Sequence, residues 1–100
     1  MKIHKLHSKL ETLLVALLQG SESYLMNGDK IEIQNFIYHK EYFLALQSFC
    51  YGFLEDGKNL SNSQIELIDE LMRLMGIDQE EDDDFWLWEM FQQVLNNRIV

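Results

Sequence analysis

Residues 41–57 read EYFLALQSFCYGFLEDG, and their pattern decides the fold. Ten of these seventeen residues are apolar. At helical spacing Tyr42, Leu46, Phe49, Cys50 and Phe53 share one face, and Phe43 and Leu54 widen it. What stays polar is a strip through Gln47, Ser48, Tyr51, Gly52 and Glu55. A helix this apolar has to be covered on most sides by other helices. Gly57 is expected to end it, because glycine takes the left-handed conformation that closes a helix C-terminus. A single strand of this length without alternation is not a reasonable reading. The expectation is an all-α, compact bundle of four to five helices around a central helix at 41–56, in one domain over 1–100.

Working outward, residues 3–19 place Ile3, Leu6, Leu10, Leu13, Leu14, Leu17 and Leu18 on one helical stripe, with Lys5, Lys9 and Thr12 opposite. Gly20 and Gly28 bracket a linker, and Asp29 has the chemistry of an N-cap. A helix over 30–39 would bury Ile33, Phe36 and Ile37, although the local Ile-Glu-Ile alternates like a strand. After the central helix, Ser61 and Gln64 have the spacing of a capping box. Residues 62–75 then face Ile65, Ile68, Leu71, Met72 and Met75 inward and Glu66, Asp69 and Glu70 outward, with Arg73 in reach of the last two. Gly76 closes that helix. In the final segment Leu87, Trp88, Phe91, Val94 and Leu95 form an apolar face, and the acids at 80–84 complement the dipole of its N-terminus. The chain has no proline, which fits helices joined at glycine-marked turns.

The charge of −9 is unevenly spread. Residues 1–52 balance five lysines against five acids, whereas residues 53–89 hold twelve acids and two bases. Nucleic acid would be repelled by the second half, and a basic protein steered towards it. Acidity also keeps a protein soluble, which is the plainer explanation. No apolar run approaches a membrane span and no signal peptide is read at the N-terminus, so the expected location is the cytoplasm. Cys50, the only cysteine, is expected to be a buried, inert thiol.

Catalytic patterns are weak. His4 and His7 have no third ligand nearby and are read as exposed and non-ligating. His39, beside Lys40 and Glu41, is read as a helix-junction residue. Counted from Asp78, acids at Glu80, Asp82, Asp84 and Glu89 imitate a calcium loop, but Asp83 stands where its sharp turn requires glycine. No nucleophile–base pairing or phosphate-binding glycine loop is legible. The chain is read as non-enzymatic, without a cofactor. Trp86, next to five consecutive acids, has two readings: a binding anchor with a charged rim, or packing on a neighbouring helix.

Residues 39–78, about two-fifths of the chain, resemble the small helical immunity proteins of bacterial polymorphic-toxin and contact-dependent inhibition systems, especially the MafI-type group. The resemblance rests on Glu41, Leu44 with Ala45, Cys50, Leu54 with Glu55, Ser61, and Met75 with Gly76. Gln47 departs from the glutamate of that pattern. The resemblance implies a protein that binds a cognate toxin and blocks it. Since many such toxins are nucleases with basic clefts, the expected interface is acidic: Glu80, Glu81, Asp82, Asp83 and Asp84 standing in for phosphates, Trp86 as anchor, Glu66 with Glu70 as a second patch, and Asp78 as a further toxin-binding residue. The acids at 80–84 are expected to make no core contacts. The free protein is expected to be a monomer or weak dimer that touches neither nucleic acid nor membrane. Two rivals are an acidic adaptor for an unrelated basic protein and a metal binder using 78–89.

Overall fold

A computed structural model describes residues 2–20, 27–56 and 61–98, with side chains described over 5–20, 28–52 and 61–96. These residues form five helices and no strand: α1 (Lys2–Gly20), α2 (Asn27–Tyr38), α3 (Tyr42–Asp56), α4 (Asn62–Met75) and α5 (Phe85–Arg98). Helix α3 touches each of the other four. It is the central helix that its composition requires, and the all-α bundle is the observed architecture. The radius of gyration, 13.0 Å, is that of a compact chain of this length.

One core draws on every helix. Leu10, Leu14, Leu17 and Leu18 come from α1, Ile33 and Ile37 from α2, and Tyr42, Ala45, Leu46, Phe49 and Cys50 from α3. Ile68, Leu71 and Met72 of α4, Ile77 of the following turn, and Leu87 and Phe91 of α5 complete it. Each fully buried large apolar side chain contributes about 1.5–3 kcal/mol. Four of the five residues on the expected α3 face are buried; the side chain of Phe53, like Gly57 and Ile3, lies outside the described ones.

Two junctions fix the path of the chain. Helix α2 ends where Lys40 takes φ 61°. There Lys40 N–H donates to the Ile37 carbonyl at 3.0 Å and Glu41 N–H to the Phe36 carbonyl at 2.8 Å. This is the hydrogen-bond pair of a Schellman motif, closed by lysine instead of glycine. Helix α4 ends the same way at Gly76, φ 77°, with Ile77 N–H donating to the Met72 carbonyl at 3.1 Å. Both Ile77 and Met72 are buried, which supplies the apolar contact that goes with this motif.

At the start of α4, the Ser61 hydroxyl accepts from Gln64 N–H at 3.2 Å while Ser61 N–H donates to Gln64 Oε1 at 2.8 Å. The capping box therefore forms. Two expectations need correction. Asp29 is not the N-cap of α2, because the helix already runs from Asn27 and Asp29 lies in its first turn, where a carboxylate still complements the dipole. His7 is half-buried, not exposed, with its ring 5.5 Å from that of Tyr42.

Candidate acidic interface

The acidic run is a turn, not the opening of a helix. Between Gly76 and Phe85 the chain makes successive tight turns, closed by Gln79 N–H to Gly76, Asp82 N–H to Gln79 and Phe85 N–H to Asp82 carbonyls at 2.9–3.3 Å. The Asp82 carboxylate accepts from Asp84 N–H at 2.8 Å, an Asx turn. That local bond competes with helix formation, and mutual repulsion of five consecutive carboxylates adds to it. The turn is held at one end by buried Ile77 and at the other by buried Leu87.

This geometry divides the expected acids into separate sets. Glu80, Glu81 and Asp83 are exposed, and among the described residues no basic side chain pairs with them. Asp82 and Asp84 are half-buried and face a groove together with Leu10 and Ile77. These two are less exposed than Glu80, Glu81 and Asp83, and the bond from Asp84 N–H to Asp82 holds them on the groove side of the turn. Burial, then the charges of Asp82 and Asp83, holds the Asp84 carboxyl above the ordinary aspartate range. Asp78 turns away from the exposed set. Its side chain is 13% exposed and lies 3.6 Å from Arg73 Nη1.

Arg73 links three elements. Its Nε donates to Asp69 at 2.9 Å within α4, its Nη1 reaches Asp78, and its guanidinium lies 5.2 Å from the centre of the Trp88 ring. Glu70, expected near Arg73, pairs instead with Lys9 of α1 at 3.3 Å. The cause is the packing of α1 against α4. Glu66 is exposed on α4. The second patch expected from Glu66 and Glu70 therefore includes one carboxylate already engaged by a lysine.

Trp86 is half-buried against the core and stacks on Tyr51 of α3, with ring centres 6.2 Å apart and planes inclined by 25°. Tyr51 is itself held by Gln47 Nε2, which donates to its hydroxyl at 3.3 Å. Packing on a neighbouring helix is thus observed for Trp86, and the packing leaves part of the indole at the surface beside the acidic turn.

The groove lies between the α2–α3 turn and the acidic turn, is open to solvent along its length, and has a volume of about 460 Å³. Buried Leu10, Tyr42 and Ile77 form its floor; Lys40, Glu41, Asp82 and Asp84 stand along its rim. Sequence reasoning missed it because its walls are some forty residues apart. At its edge, His39 Nδ1 donates to the Asn35 carbonyl at 2.8 Å, which makes His39 part of the end of α2.

Among the described residues, no three of His, Cys, Asp or Glu converge on a point that would hold a metal ion. Nor is any helix there long and apolar enough to cross a membrane. No known family, curated protein or solved structure matches the chain.

Proposed function

We propose that this chain is an immunity protein, which binds a cognate bacterial toxin domain and neutralises it in the cell that makes it. The partner is a basic nuclease domain, and the acidic turn covers its active-site region with carboxylates where substrate phosphates would lie. The observation that carries this reading is the display of Glu80, Glu81 and Asp83. They are exposed on a turn fixed at both ends by buried residues, with no described base neutralising them. Such a surface attracts a basic cleft at long range and is already shaped when it arrives. The resemblance of residues 39–78 to immunity proteins supplies the toxin; the charge supplies its sign. No catalytic role is assigned to any residue, and the surface steers a protein partner while repelling nucleic acid.

The test is co-expression with the protein encoded immediately upstream. The reading predicts that the two proteins co-purify as a complex and that this chain restores growth to cells making the upstream protein. Viable cells without this chain, or a toxic upstream protein that it neither binds nor counters, would refute the reading. Capture of a non-toxic basic protein instead would identify an acidic adaptor.

A further inference from the structure

The groove is distinct from the outward-facing acids and has a chemistry of its own. Its floor is apolar and partly aromatic, its rim carries Glu41, Asp82 and Asp84 against the single amine of Lys40, and its volume of about 460 Å³ is in the range of small-ligand pockets, roughly 300–1,000 Å³. We propose that the groove seats one arginine side chain of the basic partner, its stem on Leu10, Tyr42 and Ile77 and its guanidinium between the carboxylates of Asp82 and Asp84. This rests on the reading of the chain as a binder of a basic protein.

Charge complementarity selects the occupant. Three carboxylates and one amine leave the rim negative, so an anion is disfavoured. A purely apolar side chain would bury carboxylates without a partner, which is costly. Arginine matches both halves of the site, since its stem covers apolar surface and its planar fork donates to two carboxylates at once. Lysine presents a compact, more strongly hydrated charge and forfeits the second donor direction. The Asp82 side chain stays rigid because its Oδ1 is tied to Asp84 N–H, so one wall is formed before the partner arrives. The half-buried Asp84 lies among like charges, and a guanidinium beside it would relieve that repulsion.

The experiment titrates the full chain, labelled with ¹⁵N, with N-acetyl-arginine methylamide and with its neutral isostere N-acetyl-citrulline methylamide. The arginine derivative should give saturable amide shifts centred on 40–44 and 77–85, and the citrulline derivative none. Asp82→Asn with Asp84→Asn keeps the side-chain acceptor that the turn uses and should weaken arginine binding about tenfold or more. Glu80→Gln with Glu81→Gln and Asp83→Asn should weaken it less than about threefold, as distant exposed charges do. Equal shifts from both derivatives, no saturable shift from arginine, or a response insensitive to Asp82 and Asp84 would overturn the groove assignment. The toxin reading fails separately. If the co-expressed partner binds the Asp82 and Asp84 double variant undiminished, the groove assignment falls and the reading stands. If arginine seats in the groove but the upstream protein does not bind, the reading falls and the cation seat stands.

Discussion

Gln64 Nε2 donates to the Gly20 carbonyl across 2.9 Å, joining the first turn of α4 to the last residue of α1. The same amide uses its oxygen to accept from Ser61 N–H, so one buried side chain caps one helix and ties down the end of another. Gln64→Ala should therefore lose a capping interaction of about 1 kcal/mol and a cross-helix hydrogen bond of about 1 kcal/mol. Thermal unfolding should show Tm lowered by roughly 10 °C, and Ser61→Ala should cost about half as much. Equal costs for the two would mean that the bond to Gly20 adds nothing.

The two left-handed helix ends should respond in opposite directions. Lys40 at φ 61° bears a steric cost that glycine would not, so Lys40→Gly should stabilise the protein by about 0.5–1 kcal/mol in denaturant unfolding. At Gly76, φ 77°, an added Cβ would meet nothing within 4 Å. Gly76→Ala should still destabilise by about 1–2 kcal/mol, a conformational cost without a clash. A neutral Gly76→Ala would contradict the left-handed assignment.

Cys50 is buried on α3, and desolvation pushes its thiol up to about 12. At neutral pH the thiolate is scarce as well as shielded. Labelling by a thiol reagent should be slow in native buffer and become fast in denaturant, following unfolding. Fast labelling of the native protein would show the central helix to be exposed.

Asp84 gives a dependence on pH with a defined sign. Its folded-state pKa lies above that of an aspartate in the unfolded chain, which is about 3.9. Between the two values the folded protein holds a proton that the unfolded chain has released. Stability therefore falls as pH rises through that window, and the loss is complete above the folded value. The α5 dipole opposes this trend. Asp84→Asn should raise Tm at pH 7, with the difference from the parent vanishing below the unfolded value. A lower Tm at pH 7 would mean that the dipole outweighs burial and the charges of Asp82 and Asp83.

The fold was legible where a single helix carries its own pattern. The α3 face, the Leu10, Leu14, Leu17 and Leu18 part of the α1 stripe, the Ser61 and Gln64 box and the Gly76 end all follow from periodicity and capping chemistry within one segment, whereas Leu6 of that stripe is exposed. Lys40 was not legible, because a lysine carries no mark of the left-handed conformation that it takes in the hydrogen-bonded end of α2. The site was legible in composition but not in arrangement. Six acids in seven residues announce an acidic surface, yet their division follows from contacts with Arg73, from the Asx turn at Asp82 and from the apposition of α2–α3 with 77–84. Those are long-range or turn-level facts with no local signature. Trp86 shows the same limit, since its partner Tyr51 is thirty-five positions away.

The central claim is that the exposed acids of the 76–84 turn recruit a basic toxin domain, and association kinetics test it most directly. The measurement compares the parent with Glu80→Gln, Glu81→Gln and Asp83→Asn combined, binding the upstream-encoded protein at low and at physiological ionic strength. The acidic-interface account predicts an unchanged fold, an association rate about tenfold slower at low salt, a flattened salt dependence and a nearly unchanged dissociation rate. If the triple variant instead folds, associates as fast as the parent at both ionic strengths and still protects cells, the acidic turn is a solubilising feature. The interface would then lie elsewhere, on the outer faces of α2 and α4.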